Sequence, residues 1–126
     1  MVHALIVDDD PVIRFLTARI LERAGYSVSE CATGDEALER LVADGTDGGL
    51  AEVPDVVVSD VAMPGGTDGI ALVRSLAHLL PALPVILMSG SADALDAACR
   101  STRPAGVLEK PYCAVALLDL VRAAVG

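Results

Sequence analysis

Short apolar runs alternate along the chain with segments in which apolar residues recur every three or four positions. Such runs are typical of buried strands, whereas the longer spacing is typical of helices packed on one side. The predicted strands are Ala4–Val7, Ser27–Ala32, Asp55–Ser59, Pro84–Met88 and Gly106–Glu109. The first predicted helix begins at Pro11 and stops at Gly25. The third has Ile70, Val73, Leu76 and Leu80 as its apolar positions. The second, fourth and fifth are Gly34–Ala43, Ala92–Arg100 and Ala114–Val125.

The first helix has the clearest predicted boundaries. Asp10 suits the N-cap, Pro11 suits the first helical position, and Gly25 suits the end. Its predicted inward-facing residues are Ile13, Leu16, Ile20 and Ala24. We therefore interpret Asp10 as a capping residue rather than a metal ligand.

The alternation of strands and helices predicts an α/β domain. Its expected core is a doubly wound, five-stranded parallel sheet with helices on both faces and right-handed crossovers. The segment Asp55–Ser59 contains the continuous β-branched run Val56–Val58, as in strands buried on both faces. The Gly- and Asp-rich segment Asp44–Pro54 is predicted to be a loop inside this domain. We expect a single domain that spans residues 1–126.

Polar residues stand where four of the predicted strands end. Asp8 and Asp9 follow the first strand, and Asp60 follows the third. Ser89 follows the fourth strand, and Lys110, the only lysine of the sequence, follows the fifth. In doubly wound sheets ligands bind beyond the carboxyl ends of the strands. We therefore expect these five side chains to meet at one edge of the sheet.

Composition narrows the classes of function. The formal net charge is −9 and no cluster of Lys and Arg occurs, which argues against direct binding to nucleic acid. No apolar run is long enough to span a membrane, so a cytoplasmic location is expected. Cys31, Cys99 and Cys113 are odd in number and form no CxxC pair, so we predict reduced, partly buried thiols.

The polar residues at the strand ends indicate phosphoryl chemistry. Three clustered carboxylates repel one another unless a proton or a cation neutralises them. All-oxygen ligands select a hard ion, and Mg2+ with several retained waters suits such an open site. A lysine and a hydroxyl could hold the oxygens of a phosphoryl group while a carboxylate accepts it.

Four motifs together resemble the receiver domain of bacterial two-component response regulators: LIVDDDPVIR, SDVAMPGGTDG, PVILMSG and LEKP. The resemblance covers essentially the whole chain, with the motifs in order and at suitable spacing. The resemblance implies a flavodoxin-like sheet with strand order 2-1-3-4-5. It implies that Asp60 accepts the phosphoryl group and that Ser89 and Lys110 contact it. The implied ligands of Mg2+ are Asp8, Asp9, Asp60 and the backbone carbonyl of Ala62. Asp9 is the more direct ligand of the acidic pair, and Asp8 often acts through water in this family.

The resemblance also implies partners and a mode of action. The phosphodonor would be a sensor histidine kinase or a histidine phosphotransfer protein. A downstream protein would bind the face made by the fourth helix, fifth strand and fifth helix, and phosphorylation could drive dimerisation. Such a domain is a signalling module that catalyses only its own phosphorylation and dephosphorylation, not an enzyme acting on other substrates. A cis peptide bond before Pro111 is implied as well.

Several positions depart from the pattern of this family. Val107 stands where many receivers carry an aromatic residue in the fifth strand, and Tyr112 is not an equivalent substitute. The loop from Pro64 to Gly69 is one residue longer than the commonest form. Ala62 and Ser91 are small, so nothing at these positions predicts the lifetime of the phosphorylated state.

Alternative functions remain at this point. The run DDDPV also resembles the start of haloacid-dehalogenase-like phosphatases, in which Asp8 would be the nucleophile. That family places its metal-binding acidic residues after the lysine, whereas Asp60 precedes Lys110 and only Asp119 follows it. A receiver-like fold that binds partners without phosphorylation is a further alternative, which the complete set of five site residues disfavours. Few residues precede the first predicted strand or follow the last predicted helix. We therefore expect a stand-alone regulator rather than a receiver module of a hybrid histidine kinase.

Overall fold

The computed structural model describes residues 2–42, 53–63 and 65–126 of the 126-residue chain, so most of the predicted loop Asp44–Pro54, and Pro64, lie outside the described residues. The strands are β1 His3–Val7, β2 Ser27–Cys31, β3 Val56–Asp60, β4 Val85–Ser89 and β5 Gly106–Glu109. The helices are α1 Pro11–Arg23, α2 Gly34–Val42, α3 Gly69–Leu79, α4 Ala92–Ser101 and α5 Ala114–Val125. Each predicted element is present, and the ends that differ from the predicted ones do so by one or two residues, which is within the usual variation of element boundaries. None of the helices in the described ranges has the length and apolar character needed to cross a bilayer.

The five strands form one parallel sheet in the order β2-β1-β3-β4-β5. Successive strand residues face opposite sides of the sheet, so each strand contributes to two cores. Leu5 and Val57 pack in the core with residues of α2, α3 and α4, whereas Ile6 and Val58 pack in the core with residues of α1 and α5. The predicted doubly wound fold is therefore confirmed. The chain order reverses between β1 and β3, which opens a crevice at the carboxyl ends of these strands.

The buried face of α1 differs from the predicted one. Thr17, Ala18 and Leu21 are its buried residues, and Leu16 is 52% exposed. Ala24 is also exposed, so the predicted stripe is wrong at positions 16 and 24. Residues 16 and 21 lie about 140° apart around a helix of 3.6 residues per turn, so both cannot face the sheet. Helical spacing permits either stripe, and contact with the sheet selects the one that contains Leu21.

The helix ends follow local signals. The side chain of Asp10 accepts hydrogen bonds from two backbone N–H groups in the first turn of α1, which confirms its role as the N-cap. Gly25 ends this helix with a φ of 99°, a left-handed conformation that glycine adopts without a steric penalty. Asp68 and Ser91 cap α3 and α4 in the same way as Asp10. The peptide bond before Pro111 is cis, as the resemblance implied.

The three cysteines are all free thiols. Cys31 is buried, and burial raises its pKa to about 11, so this thiol stays protonated and unreactive at neutral pH. Cys99 and Cys113 are exposed. The prediction of partly buried thiols is therefore wrong for these two cysteines, because both lie on the outer surface of α4 or at the start of α5.

Candidate functional site

Three aspartates meet at the carboxyl ends of two neighbouring strands. Asp8 and Asp9 follow β1, and Asp60 is the last residue of β3, which lies beside β1. One carboxylate oxygen from each lies within 4.8 Å of the other two. Asp8 is fully buried, the side chain of Asp60 is 14% exposed, and Asp9 is exposed. The cluster is therefore closed on the side of Asp8 and open on the side of Asp9.

Lys110 bridges two of these aspartates. Its Nζ lies 3.2 Å from Oδ2 of Asp8 and 3.4 Å from Oδ1 of Asp60. The backbone N–H of Lys110 donates to the carbonyl of Ser89 at 2.8 Å, which joins the ends of β4 and β5. The hydroxyl of Ser89 accepts from the N–H of Ser91 at 3.0 Å. The sheet thus brings the five polar residues from four strand ends to one edge.

The site contains more negative than positive charge. Burial raises the pKa of Asp60, the ammonium of Lys110 opposes that rise, and repulsion from Asp8 and Asp9 reinforces it. Burial also disfavours the charge on Lys110, but attraction to Asp60 and Asp8 outweighs burial and raises the pKa of Lys110. Lys110 is therefore a permanent cation at neutral pH, and Asp8 and Asp60 share its charge.

Two further contacts hold Asp8 in place. Its Oδ1 accepts a hydrogen bond from the backbone N–H of Asp10 at 2.9 Å. Its backbone carbonyl accepts from the guanidinium of Arg14 at 2.7 Å, and Arg14 also pairs with Glu30 of β2 at 3.2 Å. The sequence analysis did not single out Arg14. A signal was available, because a basic residue one turn into α1 lies close to the strand end that precedes the helix.

The chain approaches itself closely after Asp60. A β-carbon added to Gly69 would lie 2.4 Å from the backbone oxygen of Asp60, so only glycine fits there. This contact brings the start of α3 against the end of β3. Ala62 lies between these two elements, two residues after Asp60, and is exposed to solvent.

Asp35 of α2 holds the middle of the loop between β3 and α3. The backbone N–H of Gly66 donates to Oδ2 of Asp35 at 3.1 Å. Hydrogen bonds from the side chain of Thr67 and from Gly66 lower the pKa of Asp35. No local pattern in the sequence predicts this contact, because α2 and the loop are separated along the chain and meet only in the folded domain.

The acidic cluster could hold a metal ion. All of its side-chain donors are carboxylate oxygens, which hard divalent cations such as Mg2+ prefer. Asp9 provides an exposed donor through which an ion and its water ligands could enter. Lys110 brings one positive charge to a cluster of three carboxylates, of which it contacts two. The residues present therefore fit a divalent cation.

An apolar groove lies beside the acidic cluster. It has a volume of about 830 Å3 and runs between α1 and the segment that follows β5. Phe15 and Leu16, each more than half exposed, form part of its α1 wall. Lys110 and Tyr112 line the opposite side. Because Lys110 belongs to both features, the groove ends at the charged site.

The fold and the site define a small doubly wound α/β domain with a carboxylate and lysine site at the switch point of its sheet. Residues 4–122 match the family described as the response regulator receiver domain. The chain therefore belongs to the receiver domain family of two-component systems.

Known relatives agree with this membership. The chain is 40% identical over 121 residues to the DNA-binding transcriptional regulator NtrC of Klebsiella pneumoniae, covering 92% of this chain and 24% of that protein. It is 41% identical over 124 residues to the C4-dicarboxylate transport transcriptional regulatory protein DctD of Pseudomonas aeruginosa, covering 97% of this chain and 25% of that protein. The receiver domain of NtrX from Brucella abortus has a similar structure, with a TM-score of 0.83, 29% identity and 97% coverage of both chains. The chain thus spans about a quarter of the length of the first two relatives.

Proposed function

We propose that this chain accepts a phosphoryl group on Asp60 from a phosphohistidine of a sensor histidine kinase or a histidine phosphotransfer protein. The observation that carries this proposal is the cluster of Asp8, Asp9 and Asp60 bridged by Lys110 at the carboxyl edge of the sheet. Membership of the receiver family supports the same chemistry.

The surroundings of the aspartates favour Asp60 as the nucleophile. Asp8 is fully buried, and its two oxygens are engaged by the N–H of Asp10 and by Lys110. Asp60 remains partly accessible and is engaged by Lys110 through one oxygen. A phosphodonor can therefore reach Asp60 more easily than Asp8.

The proposed transfer forms a bond between a carboxylate oxygen of Asp60 and phosphorus while the bond from phosphorus to the donor histidine breaks. The imidazole nitrogen of the donor keeps the electron pair of the broken bond. Lys110 and the hydroxyl of Ser89 would contact the phosphoryl oxygens on Asp60. Mg2+ held by Asp8, Asp9, Asp60 and the carbonyl of Ala62 would supply positive charge to the same oxygens.

The donor is proposed to approach along the groove between α1 and the segment after β5. Phosphoryl transfer requires the donor histidine to lie within bonding distance of Asp60, and the groove ends at Lys110 beside that residue. Its exposed apolar wall at Phe15 and Leu16 would bury the apolar face of a donor helix. Arg19 and Arg23 also line the groove, which suits acidic residues on that helix.

The output of this domain is proposed to pass through the face made by α4, β5 and α5 to a downstream protein or domain. The relatives NtrC and DctD are about four times as long as the region that this chain matches, so in those proteins a receiver is joined to further sequence. For the present chain, a downstream partner at this face is proposed from its membership of the receiver family.

Acetyl phosphate with Mg2+ tests the acceptor directly, because it supplies a phosphoryl group without a protein partner. We expect one phosphoryl group per chain on Asp60, located by borohydride reduction and peptide mass spectrometry. Asp60→Asn should abolish the label, whereas Asp10→Asn, which changes a neighbouring capping aspartate in the same way, should retain it.

The same experiment separates the competing functions. Label on Asp8, or repeated hydrolysis of a generic phosphomonoester, would support the phosphatase alternative. In the structure Asp119, the acidic residue that follows Lys110, lies exposed on α5 and pairs with Arg122 at 3.7 Å, which does not support that alternative. Absence of any label would support a partner-binding domain that is not phosphorylated.

A further inference from the structure

Tyr112 connects the segment after β5 to α1 through a partly buried hydrogen bond. It lies two residues after Lys110, and its hydroxyl bonds to the hydroxyl of Thr17 in the middle of α1. Thr17 is fully buried and donates its own proton to the carbonyl of Ile13 at 2.8 Å. Because each hydroxyl has one proton, Tyr112 must be the donor in its bond to Thr17. The result is a directed chain of hydrogen bonds from Tyr112 through Thr17 to Ile13.

This contact is a side-chain anchor for the segment that carries Lys110. Pro111 has no backbone N–H to donate, and Cys113 makes no side-chain capping bond to α5. The ring of Tyr112 packs against the core that α1 and α5 share. Burial raises the pKa of Tyr112, so its hydroxyl remains a neutral donor at physiological pH. The hydroxyl is therefore positioned to hold this segment against α1.

Lys110 lies between two attachment points. On one side its backbone N–H donates to the carbonyl of Ser89 at the end of β4. On the other side Tyr112 attaches the following residues to α1. Between them the ammonium of Lys110 reaches both Asp8 and Asp60. A change in the contact between Tyr112 and α1 would move the backbone from which the ammonium extends.

We infer that Tyr112 is a positioning residue, whose hydrogen bond to Thr17 sets the location of Lys110 over Asp60 and couples it to the groove on α1. This inference rests on the proposed function, since the benefit of a fixed Lys110 is faster phosphoryl transfer to Asp60. Residues Lys110, Pro111 and Tyr112 also form one wall of the groove, so the same hydrogen bond shapes the surface beside the site.

Removal of either hydroxyl should slow phosphorylation by acetyl phosphate. Tyr112→Phe and Thr17→Val each remove one hydroxyl and keep the side-chain shape, and each should slow the reaction by about threefold to tenfold, the range that loss of one neutral hydrogen bond supports. Thr17→Ser keeps the hydroxyl and should restore the rate. Tyr26→Phe is the matched control, because Tyr26 is the other tyrosine of the chain and lies in the turn between α1 and β2.

The double variant distinguishes positioning from a purely structural role. Combining Thr17→Val with Tyr112→Phe leaves no buried hydroxyl without a partner, so the melting temperature should recover relative to Thr17→Val alone. The phosphorylation rate should not recover, because the anchor is still missing. A rate that follows the melting temperature across the variants would contradict the inference.

An optical measurement gives a second readout that does not depend on turnover. The sequence contains no tryptophan and two tyrosines, so in a Tyr26→Phe background the phenol signal reports on Tyr112 alone. Beryllium fluoride with Mg2+, a mimic of the phosphoryl group, should change the near-ultraviolet circular dichroism of that phenol, and Thr17→Val should diminish the change. A phenol signal that stays constant, or rates equal to that of the wild type in both single variants, would overturn the inference. If acetyl phosphate labels no residue of the wild type, the proposed function fails first and the inference fails with it.

Discussion

Asp60 carries a charge that its neighbours only partly compensate. Burial and two nearby carboxylates raise its pKa despite the bridging ammonium of Lys110. The same excess of negative charge that makes Asp60 costly to ionise also favours the binding of a cation at this site. The electrostatic cost at this residue is therefore part of its proposed chemistry.

Asp60→Asn should stabilise the protein at pH 7 in the absence of divalent cations. A carboxyl group whose pKa is higher in the folded than in the unfolded chain favours folding fully below its unfolded pKa, and this contribution is lost as pH rises through the folded pKa. Asn stays neutral at all pH values, so the variant should melt a few degrees higher at pH 7, given that ~1 kcal/mol shifts the melting temperature of a domain this size by roughly 3–5 °C. The difference should vanish below the ordinary aspartate pKa of 3.8.

Thermal unfolding with a chelator at several pH values measures this effect. Asp96→Asn, which changes an exposed aspartate on α4, provides the control and should show little difference at any pH. An Asp60→Asn variant that is less stable than the wild type at pH 7 would show that Lys110 outweighs burial and repulsion.

Mg2+ should reverse the order of these stabilities. Binding to the folded state alone stabilises it by mass action, by about 2.7 kcal/mol when the ion exceeds its dissociation constant 100-fold. Asp9→Asn removes the exposed carboxylate of the cluster and should lose most of this gain, whereas Asp10→Asn should keep it. A wild-type melting temperature that stays constant across a millimolar Mg2+ titration would argue against the metal site.

At the scale of elements, α1 has one face in the core and another in the groove. Leu21 is fully buried against the sheet, whereas Leu16 is 52% exposed and lines the groove. Both are leucines in the same helix, so they provide a matched pair for testing which face stabilises the fold.

Leu21→Ala should destabilise the domain by about 2–5 kcal/mol, since it removes buried methyl groups and leaves a cavity. Leu16→Ala should change the free energy of unfolding by less than about 0.5–1 kcal/mol, as is usual for surface positions. Urea denaturation at equilibrium measures both. A larger loss for Leu16→Ala than for Leu21→Ala would mean that the stripe predicted from helical spacing, rather than the observed one, faces the sheet.

At the scale of the whole molecule, the proposed function requires the phosphoryl site to communicate with the proposed output face of α4, β5 and α5. Ser89 is the natural starting point, because its hydroxyl accepts from the N–H of Ser91 at the start of α4 and its carbonyl accepts from Lys110 after β5. Val107 of β5 is small and packs against the core on the α4 side. Moving this side chain between a buried and an exposed position would change too little apolar area, at ~25 cal/mol per Å2, to drive a large rearrangement.

Activation should therefore move the backbone around Ser89 and α4 without a large aromatic rearrangement. Backbone amide shifts recorded with and without beryllium fluoride and Mg2+ should change over residues 90–108 as well as at the acidic cluster. Ser89→Ala should weaken the changes in residues 90–108 while those at the cluster persist. Shifts confined to the cluster in the wild type would place the output face elsewhere on the domain.

Much of this architecture could be predicted from the sequence, because its signals are local. Strand segments are short apolar runs, the helix that begins at Pro11 carries its own cap in Asp10, and the polar residues Asp8, Asp60 and Lys110 directly follow strands. A parallel sheet places all carboxyl ends of its strands at one edge, so the meeting of these residues follows from topology rather than from detailed packing.

The tertiary structure decided which partners each side chain has. Helical spacing alone could not choose between Leu16 and Leu21, since the choice depends on where the sheet lies. The bridge from Lys110 to both Asp8 and Asp60 depends on distances between strands that local patterns do not contain. The bond between Thr17 and Tyr112 joins residues 95 positions apart, so only the packing of α1 against the segment after β5 creates it.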